Sequence, residues 1–123
     1  MRITRRKLRG GRHNNVHTIV DKIEFMSRVE ARRYLELKMM QNAGKISGLV
    51  LQPRFLLQPS FKYQGTTIRR TEYIGDFMYN DKKGRVIVED VKSTYTQMDP
   101  VYRLKRKLMI FRNQEVIFKE VIY

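Results

Sequence analysis

The sequence predicts an α/β fold whose elements run helix, three or more strands, helix, strand, an αβββαβ order. Three observations carry that prediction. A capping box, Ser27-Arg28-Val29-Glu30, opens a helical stretch that ends near Asn42 and Gly44. From Leu49 to Lys92 short runs containing β-branched and aromatic residues are broken by Pro, Gly and Asn. Asp99-Pro100 then starts a second helix, and the run EVIFKEVIY from Glu115 to Tyr123 reads as a final strand.

The totals bound the rest. At 123 residues the chain fits one domain able to bury about two-thirds of its unfolded surface. With no cysteine there is no disulfide framework and no thiolate zinc site, so a reducing cytoplasm is the natural compartment. No apolar run approaches a membrane span or a secretory signal. The charge is the largest compositional fact: 26 Lys and Arg against 12 Asp and Glu, net +14. Such a balance favours a polyanionic partner, nucleic acid first, through phosphate neutralisation and counterion release. It says nothing about catalysis.

Residues 1–20 hold Arg5, Arg6 and Arg12 among six bases and no acid. Interrupted by Gly10-Gly11 and Asn14-Asn15, they read as a flexible basic arm that orders on nucleic acid, or equally as a solubilising end. Residues 21–123 read as a single domain. His13 and His17 lie four apart without a third ligand nearby, a poor metal site.

In the first helix, Met26, Tyr34 and Leu37 fall within about 40° of Glu30 at 100° per residue. Glu30 therefore sits inside the apolar stripe, although a capping glutamate has no need of the core side. Arg33 beside it is positioned to meet a phosphate or simply to be solvated.

In the strand region Pro53 and Pro59 mark strand starts or an edge. Phe55, Leu57, Phe61 and Tyr63 are core candidates whose spacing also suits a base-stacking platform. Gln64-Gly65 turns the chain into a strand expected to run unbroken from Thr67 to Tyr79, apolar on both faces and so central in a sheet. Asn80 to Gly84 is a turn, and Arg85 to Lys92 is the next strand.

Successive strand residues face opposite ways, so Asp90 and Lys92 share a face with Val86 and Val88. A five-residue loop would set Asp76 opposite Val88, a diagonal neighbour of Asp90 on that same face. Two carboxylates beside an ammonium group suit a hard divalent cation, magnesium or manganese, which takes oxygen ligands and a substrate phosphate. Lys92 would orient the attacking water or stabilise charge on the phosphate.

The polar segment Ser93 to Met98 follows the site and reads as a loop. In the second helix Val101, Leu104, Leu108 and Phe111 form the stripe expected to pack on the sheet. Arg103, Arg106 and Lys107 are expected to project elsewhere, as a DNA-facing side.

Three segments in order resemble the PD-(D/E)XK nuclease superfamily, and a small phage-type branch of it in particular. They are Lys22 to Ser27 leading to Glu30-Ala31 and Tyr34; Ile74-Gly75-Asp76-Phe77; and Val88 to Lys92. Gly75 stands where the superfamily's name has proline, and Lys22 where a glycine is expected. The resemblance implies a restriction-endonuclease-like core with a mixed central sheet flanked by helices. It implies metal ligation by Asp76 and Asp90 with the Val91 carbonyl, completion of the site by Glu30, and assistance from Lys92. The expected activity is divalent-metal-dependent hydrolysis of DNA phosphodiesters. A resolvase-like enzyme acting on branched DNA in phage recombination or replication, working as a C2 dimer, fits best. The competing classes are a non-catalytic nucleic-acid-binding protein, whose acids merely balance a lysine, and an RNA-processing nuclease.

Overall fold

The computed structural model describes residues 16–123 together with the backbone of Thr4–Lys7. Two compact units divide the chain, Met1–Gly44 and Lys45–Tyr123.

The first unit is a three-stranded antiparallel sheet followed by a helix. Strands β1 (Thr4–Lys7), β2 (Val16–Val20) and β3 (Ile23–Phe25) lie in that order. Asp21 and Lys22 join β2 to β3 with φ of 51° and 64°. Both central residues are left-handed, as the tightest twisted hairpin turn requires. Helix α1 (Arg28–Asn42) starts at Ser27, whose hydroxyl accepts the Glu30 N–H at 3.1 Å. Its inner face is Ala31, Tyr34 and Leu37, with the Tyr34 ring 5.1 Å from that of Phe25. The Tyr34 hydroxyl donates to Asp21 at 3.1 Å. Burial and that carboxylate raise its pKa. Two expectations change here. Residues 16–20 form a paired strand with Thr18 and Val20 buried, where a flexible arm was expected. The division of the chain falls after Gly44, not after residue 20.

The second unit is built on a mixed four-stranded sheet, ordered β11-β10-β9-β4. Strands β4 (Ser47–Leu51), β9 (Phe77–Asn80) and β10 (Val86–Lys92) pair antiparallel, and β11 (Ile117–Ile122) lies parallel to β10. A parallel neighbour demands a crossover. Helices α2 (Thr94–Gln97) and α3 (Pro100–Arg112) supply it. Ser93 caps α2, which replaces the expected loop, and Asp99 caps α3.

The strand expected from Thr67 to Tyr79 is broken at Gly75-Asp76. It is broken earlier too, at Arg69-Arg70: its first part is β7 (Thr66–Ile68), its second is β8 (Thr71–Ile74), which pairs with β5 (Arg54–Gln58) in a separate two-stranded sheet, and its last is β9. Three backbone bonds hold the later break: Gly75 N–H to Pro53 O, Gln52 N–H to Asp76 O, and Asp76 N–H to Glu89 O, at 2.9 to 3.0 Å. A Cβ on Gly75 would sit 3.0 Å from Val88 Cγ1 and 3.3 Å from Pro53 Cγ. Glycine is needed there so that two strands can approach a third.

Between β5 and β8 the chain runs out into β6 (Phe61–Tyr63) and β7 (Thr66–Ile68), a hairpin paired only with itself. Every residue from 61 to 70 is exposed. Phe61 and Tyr63 therefore leave the core they were assigned to, whereas Leu57 is buried and Phe55 partly so.

Helix α3 turns a different face inward from the one its apolar stripe suggests. Tyr102 and Met109 are buried and pack with Leu57, Tyr73 and Val88, while Val101, Leu104, Leu108 and Phe111 are exposed. The buried stripe runs through Arg106, whose guanidinium lies 4.9 Å from the Phe118 ring centre and 3.4 Å from Glu120. A long stem with a stackable head covers apolar surface as well as an aliphatic side chain does. Arg106, expected to project away from the sheet, thus packs along it with its side chain partly exposed.

Candidate active site

Strand β10 brings the acids and the base together. Its register with β9 pairs Glu89 with Phe77, Val88 with Met78 and Val86 with Asn80. The expected register had Tyr79 opposite Arg85; the observed one has Tyr79 opposite Ile87, a slip of two. An even slip leaves every side chain on its face. It brings Asp76 level with Asp90 instead of diagonal to it.

The turn sets that register. Asp81 accepts the N–H groups of Lys83 and Arg85, each at 2.9 Å, and pairs with the Arg85 guanidinium at 2.7 Å. The Arg85 N–H, aided by its side chain and the Lys83 N–H, keeps the Asp81 carboxyl below its ordinary range. Its backbone closes the loop by Asp81 N–H to Arg85 O at 3.0 Å.

Asp76 Oδ2 accepts the Val91 N–H at 2.6 Å, which fixes this carboxylate against β10 one residue beyond Asp90. Asp90 is only 1% exposed. Its Oδ2 accepts a hydrogen bond from the Tyr73 hydroxyl, and its Oδ1 lies 3.1 Å from the Lys92 ammonium. That contact is an ion pair off the hydrogen-bond direction, and Oδ1 accepts no hydrogen bond among the described residues. A buried carboxylate oxygen is costly without a cation, and here Lys92 supplies the charge but not a hydrogen bond. The ammonium also lies 5.0 Å from the Tyr102 ring centre.

Sequence reasoning did not find Tyr73, Tyr102 or Glu120. Glu120 stands beside Asp90 in the parallel ladder, accepts the Tyr102 hydroxyl at 2.8 Å and pairs with Arg106. Burial, then Asp90, then Tyr102 and Asp76 raise the Tyr73 pKa far above that of an ordinary phenol, which suits it to donate. Burial, Glu120 and Asp90 do the same to Tyr102. No spacing rule links Tyr73 to Asp90, since the break at Gly75 puts them in different sheets. On the opposite face Glu89 is fully buried, with the Tyr79 hydroxyl donating to it.

Glu30 lies in the first unit, half-buried in the first turn of α1. Arg33 pairs with Glu36 at 2.8 Å. Arg103 and Lys107 are exposed on α3. Arg5 and Arg6 fall in β1, and Arg12 lies outside the described residues. Among the described residues no three acidic or histidine side chains form a ready-made metal cage. No helix among them is long and apolar enough to cross a membrane.

These features define an α/β protein whose mixed sheet carries a buried acid-base row at the junction of two sheets. The chain belongs to the family described as a protein of unknown function (DUF1064), which it matches over residues 11–122. No curated protein and no solved structure matches it.

Proposed function

We propose that this protein is a divalent-metal-dependent DNA endonuclease of the PD-(D/E)XK type. The observation that carries the reading is the β10 row: Asp76 held at Val91, and Asp90 beside Lys92 at 3.1 Å. The order β4, β9, β10, α3, β11 agrees with the latter part of an αβββαβ core and supports the same assignment. The donor set fits magnesium or manganese, two carboxylates and the Val91 carbonyl being hard oxygen ligands. Asp90 Oδ1 faces the Lys92 ammonium without a hydrogen bond, so it has acceptor capacity left for a metal ion.

Bound there, such an ion supplies Lewis-acid polarisation of the phosphate and a more acidic water. The chain's own groups do the rest. Tyr73 fixes Asp90 in place by donating to Oδ2. Lys92, steadied by the Tyr102 ring, presents a positive charge to the phosphate or orients the attacking water. Hydrolysis by water needs no covalent enzyme intermediate. Branched DNA is the preferred substrate class and a C2 dimer the working form, because symmetrical cutting of two strands calls for two sites.

The rival reading, a basic binding protein, is favoured by the Lys92 to Asp90 ion pair, which satisfies charge without any metal. Incubation of duplex, flap and four-way DNA with magnesium, against EDTA, separates the two. Cleavage that vanishes in Asp76→Asn and Asp90→Asn while binding persists supports the nuclease. Absence of magnesium-dependent cleavage on every DNA, with salt-sensitive binding intact, establishes the binder. RNA offered to the same preparation tests the third class. Glu30→Gln asks separately whether α1 contributes an acid or only a cap.

A further inference from the structure

The β6–β7 hairpin is costly as a piece of pure scaffold. Phe61 and Tyr63 are 47% and 61% exposed, and Ile68, paired with Phe61, is 37% exposed. Residues two apart on a strand and directly paired residues share a face. The register Phe61 to Ile68 and Tyr63 to Thr66 therefore gathers two rings and an isoleucine on one side, with Lys62 and Thr67 on the other. Gln64 and Gly65, with φ of 48° and 78°, close the tip as a two-residue turn, so its backbone is set before any partner arrives. Across residues 61–70 there are three bases, Lys62, Arg69 and Arg70, and no acid. Glu72 at the base of the ribbon pairs with Arg54 at 3.2 Å and with Arg70 at 2.7 Å.

We propose that this hairpin is a binding arm for unpaired nucleotides, Phe61 and Tyr63 stacking on successive bases while Arg69 at its base and Lys62, reaching round from the other face, attract the phosphates. The chemistry selects the occupant. An apolar protein partner would suit the rings but not a tip carrying only positive charge, and a second copy of the same arm would set like charges together. A single-stranded segment presents π-faces and regular negative charge together. The assignment deepens the nuclease reading by naming the substrate class as DNA with unpaired bases. It depends on that reading only for its use, because binding is measurable without cleavage.

The test uses the full chain in EDTA with three synthetic DNAs: a fully paired duplex, a forked duplex, and a single strand carrying 2-aminopurine. The wild type should quench the 2-aminopurine and prefer the forked and single-stranded probes. Phe61→Ala/Tyr63→Ala should lose about 100-fold affinity for the single strand, about tenfold per ring. Its duplex affinity should change less than twofold and its Tm should not move. Tyr63→Phe should keep the affinity, since the ring and not the hydroxyl stacks. Equal losses on all three probes, no loss on any, or no quenching by the wild type overturns the arm. So does light scattering that shows the double variant shifting from dimer to monomer, which assigns the rings to a contact between copies. Magnesium-dependent cleavage of the forked probe by the wild type is scored separately, so its failure sinks the nuclease and leaves the arm standing.

Discussion

The second unit contains two β-hairpins made under the same rules and put to opposite uses. The β9–β10 hairpin is buried on both faces: Val88 and Asp90 on one, Ile87, Glu89 and Val91 on the other. The β6–β7 hairpin has every residue exposed. Their turns differ accordingly. Two left-handed residues suffice at the tip of β6–β7, whereas β9–β10 needs a five-residue loop tied together by Asp81. Burial on both faces makes strand register consequential, since an odd slip would carry the acids out of their row. An exposed ribbon tolerates more, and its side chains remain available for contact.

The comparison can be attacked first through its buried half. Met109→Ala, under Val88 in the core, should cost about 2–5 kcal/mol by leaving a cavity, read as a drop in the denaturation midpoint. A loss below 1 kcal/mol would mean that α3 does not pack here as described. Tyr73→Phe strips a donor from a buried carboxylate and should cost about 1.5–3 kcal/mol. The pH dependence follows from the raised phenol. The unfolded Tyr73 ionises near the ordinary value of 10.0, while the folded one holds its proton. The stabilisation is therefore complete below pH 10 and is lost as pH climbs above it. Tyr73→Phe should flatten that alkaline fall; an unchanged profile would remove the phenol from the account.

Gly75→Ala should destabilise by about 1–3 kcal/mol, because the added methyl meets the fully buried Val88. A neutral result would show that β8 and β9 can part without strain. The smallest effect belongs to the other hairpin. Phe61→Ala/Tyr63→Ala should leave thermal stability within about 0.5 kcal/mol of wild type. Any larger fall would show that the rings are partly core after all.

What the sequence made legible was mostly local. Ser27 and Asp99 marked helix starts that the structure keeps, because capping is settled within three residues. Alternation along Val86 to Lys92 correctly put Asp90 and Lys92 on one face, where they meet at 3.1 Å. The slip of two in register was invisible, since loop chemistry and not strand pattern decides it. For α3 the apolar stripe misled: Tyr102, Arg106 and Met109 pack inward, and amphipathic stems can do what aliphatic ones do. Tyr73 could not be tied to Asp90 from sequence, because a chain that changes sheets at one glycine obeys no fixed period.

Strand β10 has one partner close in sequence and one far away: Asn80 pairs with Val86, whereas Asp90 pairs with Glu120. Contacts near in the chain form quickly, and distant parallel ones wait for a long loop to close. The hairpin carrying the acids should therefore assemble early with its outer edge bare, and the arrival of β11 should be the slow event that seals it. During that interval the unpaired edge is where two immature chains would stick to each other.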